Sequence, residues 1–380
     1  MTKVLIVYCV STQTTLMKSI QKNVGCELIS IDLLNIETWE LYSLTGKEKP
    51  YGWYSRIVGL KTKNPLVYWF NKRIHLSFDK ILFKKILSEY DVVDFHYFSS
   101  LYYPLLPLAK SMGKRIIITL WGSDLFRATN KEKEDQRRGY GFVDKVHVAT
   151  PYMYEMVCSE FPEIKDKVVV FPFGNQSLDD FNNHYDDSVD ESFLSNYAND
   201  KRMIVCGYNG SVGQRHLEII KMLNSLPPEV QRKLYVVFPM TYGANPTYIH
   251  LINEKLIKGN YSYDILVSRL TSRQLFDLRR LTDIVVNIQV TDAFSGSIQE
   301  HIFCKNVMLL GDWLPYDVMK NAGIFYLTTS LENLSSSFLD ALDNYDDYKI
   351  RCSNNKELMY ELTSWAGLSG KWKNLYISML

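Results

Sequence analysis

The feature that most constrains this chain is an alternation, run through twice, of short β-branched apolar runs with longer helical patterns. KVLIVYCV (3–10) is the first such run, followed by a polar turn and a helical pattern near 14–23. YDVVDFHYF (90–98), a helix across 103–112, KRIIITLWG (114–122), DKVHVAT (144–150) and KVVVFPFG (167–174) continue the series. Strands that are apolar along their whole length are buried on both faces, as in a parallel sheet covered by helices. The pattern predicts parallel βαβ units.

The series halts between Gln176 and Asp200, a stretch with seven acidic residues, no Lys or Arg and few large aliphatics. It reads as a linker with a surface helix, and so as a domain boundary. The pattern then restarts. RMIVCGYNG (202–210) leads into the helix QRHLEIIKMLNSL, and KLYVVFPMTYG (233–243) precedes a helix near 246–257. YSYDILVSRL (261–270), a helix at 272–281, TDIVVNIQ (282–289), VMLLGDW (307–313), IFYLTT (324–329) and a helix at 331–343 follow. The tail holds two helical stretches, the last being KWKNLYISML. A length of 380 residues suits two such domains.

Bulk composition removes several alternatives. A formal net charge of +1 offers no global basic excess for nucleic acid, and nucleic acid is not expected as a partner. The six cysteines are widely spaced, with no C-x-x-C pair for zinc or redox chemistry, so no metal site is expected from them. Several sit in apolar runs, which fits reduced core residues and a cytoplasmic location. The N-terminal run is too short and too β-branched for a signal peptide, and no run reaches the roughly 18 apolar residues that a spanning helix needs.

Four segments carry candidate chemistry. In TDAFSGSIQEHIFCKNVMLLGDWLPY (291–316), Asp292 follows a strand, Ser295, Gly296 and Ser297 open a helix, and Glu300 lies eight positions after Asp292. A helix start of small residues presents backbone N–H groups and a positive dipole end to a diphosphate. Glu300 suits vicinal ribose hydroxyls, and Asp292 whatever the phosphates carry. Otherwise the stretch is a solvated loop with a serine cap. In GYNGSVGQRHLEII (207–220), Gly207, Gly210 and Gly213 let backbone approach a phosphate, and Arg215 and His216 stand at the helix start. The plain alternative makes Arg215 a surface residue and His216 a cap.

In the first half, TLWGSDLFR (119–127) brings Trp121 and Asp124 to a strand's carboxyl end, and HYFSS (96–100) brings His96 to the neighbouring one. Asp124 and His96 are the candidate general bases, with an ordinary half-buried histidine as the alternative for His96. From Trp53 to Leu87, eight basic residues face Asp79 alone, a net of +7, with Trp53, Tyr54, Tyr68, Trp69 and Phe70 among them. That mixture suits an anionic membrane surface or a lipid diphosphate, or a solvated basic face with aromatic anchors. Single-stranded nucleic acid is also compatible with it, though no RNA-binding motif accompanies it.

Taken together these segments resemble the GT-B glycosyltransferases. Asp292 and Glu300 resemble the acid-x7-acid motif of the large retaining family. WGSDLF (121–126), GYNGSVGQRHLEII and FPMTYG (238–243) are similar to the bacterial lipid-linked 4-acetamido-4,6-dideoxygalactose transferases. The resemblance implies an α/β chain of two Rossmann-like domains facing across a cleft: an acceptor domain at 1–175, the acidic linker at 176–200, a donor domain at 201–362, and a C-terminal helix at 363–380 crossing back to the first domain. It implies that Glu300 binds the donor ribose, Asp292 lies near the donor sugar, and Arg215 with the backbone of Ser295 to Ser297 holds the diphosphate. Arg269, Leu270 and Thr271 would border the base. Asp292 replaces the usual Glu, and Trp121 stands where many relatives carry a His. The expected substrate is a nucleoside diphosphate sugar, with no cofactor, and no D-x-D stands in a metal-binding setting. The expected partner is a glycan or lipid-linked saccharide acceptor, on a route to bacterial surface polysaccharide. A nucleotide-sugar epimerase or hydrolase, or a non-catalytic binding module on the same fold, are the alternatives.

Overall fold

The computed structural model describes residues 2–9, 14–32 and 83–380. The chain divides into two compact units, Met1–Gly174 with Leu368–Leu380, and Asn175–Gly367.

Among the described residues the first unit is built on six parallel strands, β1 (Lys3–Tyr8), β2 (Glu27–Asp32), β3 (Val92–His96), β4 (Arg115–Thr119), β5 (Lys145–Val148) and β6 (Val168–Val170). Their order is β2-β1-β3-β4-β5-β6. In β1, Val4 to Val7 are fully buried, as the all-apolar run requires. β2 was not anticipated: ELISID mixes polar and apolar residues, and among the described residues it pairs with β1 alone. Helices Leu106–Ser111, Asn130–Tyr140 and Pro151–Glu160 connect the later strands. The chain order turns back between β1 and β3, and their carboxyl ends define the switch point where such sheets bind ligands.

The second unit repeats the scheme with β7 (Arg202–Cys206), β8 (Leu234–Pro239), β9 (Ser262–Leu266), β10 (Ile284–Asn287), β11 (Val307–Gly311) and β12 (Leu327–Thr329). The order β12-β11-β10-β7-β8-β9 is that of a dinucleotide-binding sheet, with its switch point between β7 and β10. Period-two alternation supplies a core on each face. Ile204, Val236 and Leu309 pack under helices His216–Ser225 and Leu334–Asp343. Met203, Val205, Tyr235 and Val237 pack on the other face with Phe276, Ile302 and Met359.

Two expectations are revised. The acidic stretch 176–200 is part of the second unit, because Leu178, Phe181 and Leu194 are anchored in its core. One of its acids, Asp187, meets a cation from helix Ser272–Leu281, with Arg273 Nη1 3.0 Å from Asp187 Oδ2, and Arg280 Nη1 donates to the Asp187 carbonyl. The tail forms three helices, Tyr345–Arg351, Asn355–Thr363 and Trp365–Ile377. Most of the basic aromatic tract, residues 53–82, lies outside the described residues. Its last five form a helical turn that buries Phe83, Ile86 and Leu87 and exposes Lys84 and Lys85.

Candidate functional site

In the second unit the loops that leave β7 and β10 flank the switch point. Each carries a non-glycine residue in the left-handed region, Arg215 at φ 58° and Phe294 at φ 67°. Such backbone costs on the order of 1–3 kcal/mol and gathers where a binding site fixes the chain. The β7 loop is closed by Gly207 at φ 66°, and Gly210 donates its N–H to the Tyr242 carbonyl at 2.7 Å. A Cβ on Gly210 would stand 2.2 Å from the Ala244 Cβ, so only glycine lets this turn meet the loop after β8. Tyr242, in that loop, is 59% exposed.

Arg215 is the N-cap of helix His216–Ser225, and its guanidinium lies over the Trp313 ring, 4.8 Å from the centroid. Among the described residues it has no carboxylate partner, so its charge stands ready at the helix start. His216 is placed otherwise than its spacing suggested. It is fully buried, beside Phe238, with Nδ1 3.3 Å from the Tyr248 hydroxyl, and burial lowers its pKa to about 4. A neutral imidazole inside the core packs the loop and does not reach an anion.

Asp292 is likewise enclosed. Its carboxylate accepts the Tyr316 hydroxyl at 2.6 Å, the Tyr208 hydroxyl at 3.4 Å and the Ser295 N–H at 3.1 Å. Burial pushes its pKa up against these bonds. Gln214 extends the network, accepting the Tyr208 N–H and donating to Gln289 Oε1 at 2.6 Å, while Trp313 Nε1 donates to the Gln289 carbonyl. Asp292 thereby fixes the turn into helix Gly296–Phe303, whose start has no side-chain cap.

Glu300 sits on that helix, 7% exposed, with Arg279 Nη2 3.2 Å from its Oε2. Burial raises its pKa and Arg279 opposes the rise. Arg279, itself 3% exposed, also donates to Ser297 Oγ at 2.9 Å and to His301 Nε2 at 2.8 Å. His301 is therefore the Nδ1–H tautomer, held 2.7 Å from Asn306 Oδ1, and burial first and Arg279 second keep it neutral. The second carboxylate oxygen of Glu300 faces Gly296, where a Cβ would meet it at 4.0 Å. The helix thus presents small residues and one pre-oriented carboxylate on the same end. Ser295 and Gly296 keep their place there, while Ser297 turns its hydroxyl to Arg279. Arg269, Leu270 and Thr271 form the loop after β9; Arg269 is exposed, Leu270 packs on the core, and Thr271 caps helix Ser272–Leu281 by bonding the Gln274 N–H.

In the first unit Tyr97, directly after β3, is also left-handed at φ 69°. The two expected bases are enclosed there. His96 is 0% exposed, with Nε2 3.2 Å from Asp94 Oδ2, and its Nδ1 accepts the Trp121 indole N–H at 3.3 Å. Asp124 is 5% exposed and accepts the backbone N–H groups of Phe98 at 2.8 Å and Trp121 at 2.9 Å. Burial raises its pKa to about 6. Both side chains are committed to the loops after β3 and β4, whereas Trp121 remains partly exposed.

Arg279, Tyr208, Tyr316, Gln214, Gln289 and Trp313 had no local signal in the sequence. Their partners lie 6 to 84 residues away, and the fold alone brings them together.

Two six-stranded parallel sheets, each covered by helices, give the chain the α/β architecture of the GT-B glycosyltransferases. It is similar over its whole length to a glycosyltransferase from Rickettsia africae ESF-5, with a TM-score of 0.68, 14% identity and 98% of that chain covered. The N-terminal domain of Candida albicans trehalose-6-phosphate phosphatase matches 100% of this chain and 97% of its own, at a TM-score of 0.69 and 14% identity. HepE from Anabaena, solved in complex with UDP and glucose, matches 100% of both chains at a TM-score of 0.66 and 11% identity. No protein-family model and no curated protein matches the sequence. Among the described residues no helix is long and apolar enough to cross a membrane, and no group of three or more His, Cys, Asp or Glu is placed to hold a metal ion.

Proposed function

We propose that this chain is a glycosyltransferase that takes a sugar from a nucleoside diphosphate sugar and passes it to a glycan acceptor. The observation that carries the proposal is the switch point of the second unit. There Arg215, with no carboxylate partner among the described residues, an uncapped helix start at Gly296 and a carboxylate pre-oriented by Arg279 stand on the loops and helix that leave β7 and β10. A diphosphate needs a cation and free N–H donors, and a ribose needs a fixed acceptor for its hydroxyls. In this reading Arg215 and the backbone of Ser295 to Ser297 hold the diphosphate, Glu300 binds the ribose, and the Arg269–Thr271 loop borders the base. Asp292, spoken for by two tyrosines, positions the turn beside the donor sugar. The fold neighbour HepE, solved with UDP and glucose, supports the donor class. A lipid-linked acceptor in bacterial surface polysaccharide synthesis, met at the cytoplasmic membrane face through residues 53–87, completes the proposal.

Calorimetric titration of the folded protein with UDP, GDP and dTDP tests it; binding to none of them refutes it. Glu300→Ala is expected to weaken the binding nucleotide by about 1–3 kcal/mol, the loss of a charged hydrogen bond. Unchanged affinity in a folded variant removes Glu300 from the ribose. Release of free sugar in the absence of any acceptor would mark a hydrolase instead.

A further inference from the structure

In the first unit the two residues that looked like general bases converge on one side chain. Asp124 Oδ1 accepts the backbone N–H of Trp121, and His96 Nδ1 accepts its indole N–H. His96 can accept there only because Asp94 Oδ2, 3.2 Å from Nε2, takes the other ring proton and fixes the tautomer. Asp94 is itself 0% exposed and accepts Thr119 Oγ1 at 2.8 Å and the Tyr376 hydroxyl at 3.0 Å. Burial works against its charge, while the hydrogen bonds from His96 and Thr119 favour it. The His96 ring is in turn stacked on Trp372, at 6.1 Å between centroids and 17° between planes. The Trp121 ring packs at a tilt on Phe173, 5.1 Å between centroids and 40° between planes.

So much buried polar structure around one partly exposed indole is out of proportion to packing. The ring lies at the carboxyl end of β4, next to β3, whose following residue Tyr97 is held in the left-handed region. Its indole N–H is satisfied from inside, which leaves the ring as an apolar surface. A pyranose presents a face of C–H groups that packs on such a ring while its hydroxyls stay at the rim.

We propose that Trp121 is the stacking platform for the acceptor sugar and that His96, backed by Asp94, is the positioning residue that fixes its indole. The proposal rests on the glycosyltransferase reading for its acceptor and replaces the base roles of His96 and Asp124 within it.

Saturation-transfer NMR on the full chain, with the methyl glycosides of glucose, galactose and N-acetylglucosamine as probes, tests the platform. Titration of the same samples with UDP, GDP and dTDP reports the donor side separately. Saturation is expected on the C–H face of at least one glycoside, to survive in Trp121→Phe and to vanish in Trp121→Ala. His96→Leu is expected to weaken that binding about five-fold, the cost of re-immobilising a freed ring. His96→Gln keeps an acceptor for the indole and a donor for Asp94, and is expected to restore it. Absence of saturation on all three probes, or a Trp121→Ala signal equal to the wild type, overturns the platform. Equal behaviour of His96→Leu and His96→Gln overturns the positioning role. Glycoside binding without nucleotide binding keeps the platform and removes the donor reading; the reverse removes the platform alone.

Discussion

Replacing Arg279 by Met is the sharpest probe of the second unit. The guanidinium lies 3.2 Å from Glu300 Oε2, and both side chains are under a tenth exposed. At an effective dielectric of about 20, that separation corresponds to roughly 5 kcal/mol of attraction. Methionine fills most of the volume, so the loss is that of leaving Glu300, Ser297 and His301 without their shared donor. Breaking one side of a buried pair costs about 3–5 kcal/mol. For a unit of this size that lowers the midpoint by roughly 10 °C. Glu300→Gln removes the charge as well as the demand for a cation and should cost under about 1.5 kcal/mol. The double variant should then recover about 2 kcal/mol or more of the Arg279→Met loss. pH adds a second signature. The folded-state pKa of Glu300 is raised, so the folded form binds more protons than the unfolded one above 4.5, and stability falls as pH rises through that window. Without Arg279 the window extends upward, and the deficit of Arg279→Met should be smaller at pH 5 than at pH 8. Thermal unfolding of the three variants at both pH values is the assay. Strictly additive losses, or a deficit independent of pH, would show that Arg279 does not compensate Glu300.

Three further outcomes are expected. His147, fully buried on β5, and His216 have pKa values lowered by burial to about 4, so stability is complete above their unfolded value of 6.5 and is lost as pH falls from there toward 4, by about 3 kcal/mol each; urea midpoints across that range should fall steeply, and a flat profile refutes the buried neutral rings. Gly210→Ala, with its Cβ 2.2 Å from that of Ala244, should cost about 1–3 kcal/mol and weaken nucleotide binding, whereas Gly213→Ala, whose nearest contact is 3.6 Å, should do neither to that degree; equal melting points would refute the close approach. Asp124→Ala strands the N–H groups of Phe98 and Trp121 and should cost about 2–4 kcal/mol in chemical unfolding, so a neutral result removes its clamping role.

The strands were legible where burial on both faces leaves an unbroken apolar run, as in Val4–Val7 or Val307–Leu310. β2 escaped because its polar residues break the apolar run, and ELISID reads as no more than a mixed hexapeptide. The stretch 176–200 misled for a related reason. Its anchors Leu178, Phe181 and Leu194 are sparse among acids whose cationic partners, such as Arg273, lie 86 residues further on. The site was half legible. Strand-end position follows from the order of runs, so Asp292, His96, Asp124 and Trp121 could be set at strand carboxyl ends, and Glu300 on the helix that follows one. What a local motif does not carry is the identity of partners arriving from elsewhere. Tyr316 reaches Asp292 across 24 residues and Arg279 reaches Glu300 across 21, and those partners decide whether a carboxylate is free to act.

That distinction reshapes how the proposed chemistry would run. Asp292, Asp124 and His96, the side chains whose types suggest proton transfer, are each enclosed and bonded to neighbours. What the strand-end loops of the two units leave toward solvent is of another kind: the Arg215 charge, the Tyr242 ring and the partly exposed Trp121 ring. A cation and free N–H donors stabilise a departing diphosphate, and aromatic faces hold sugar rings in place. On the proposed reading, the described residues therefore contribute leaving-group stabilisation and orientation. The buried acids act one step back, by fixing the backbone and rings that touch substrate. Charge reversal at the diphosphate separates this from an acid–base account: Arg215→Glu should abolish nucleotide binding with the fold intact. Asp292→Asn, which keeps one acceptor for Tyr316 and removes any base, should retain most of it. A variant pair with the opposite ranking would return Asp292 to the chemistry and put Arg215 outside it.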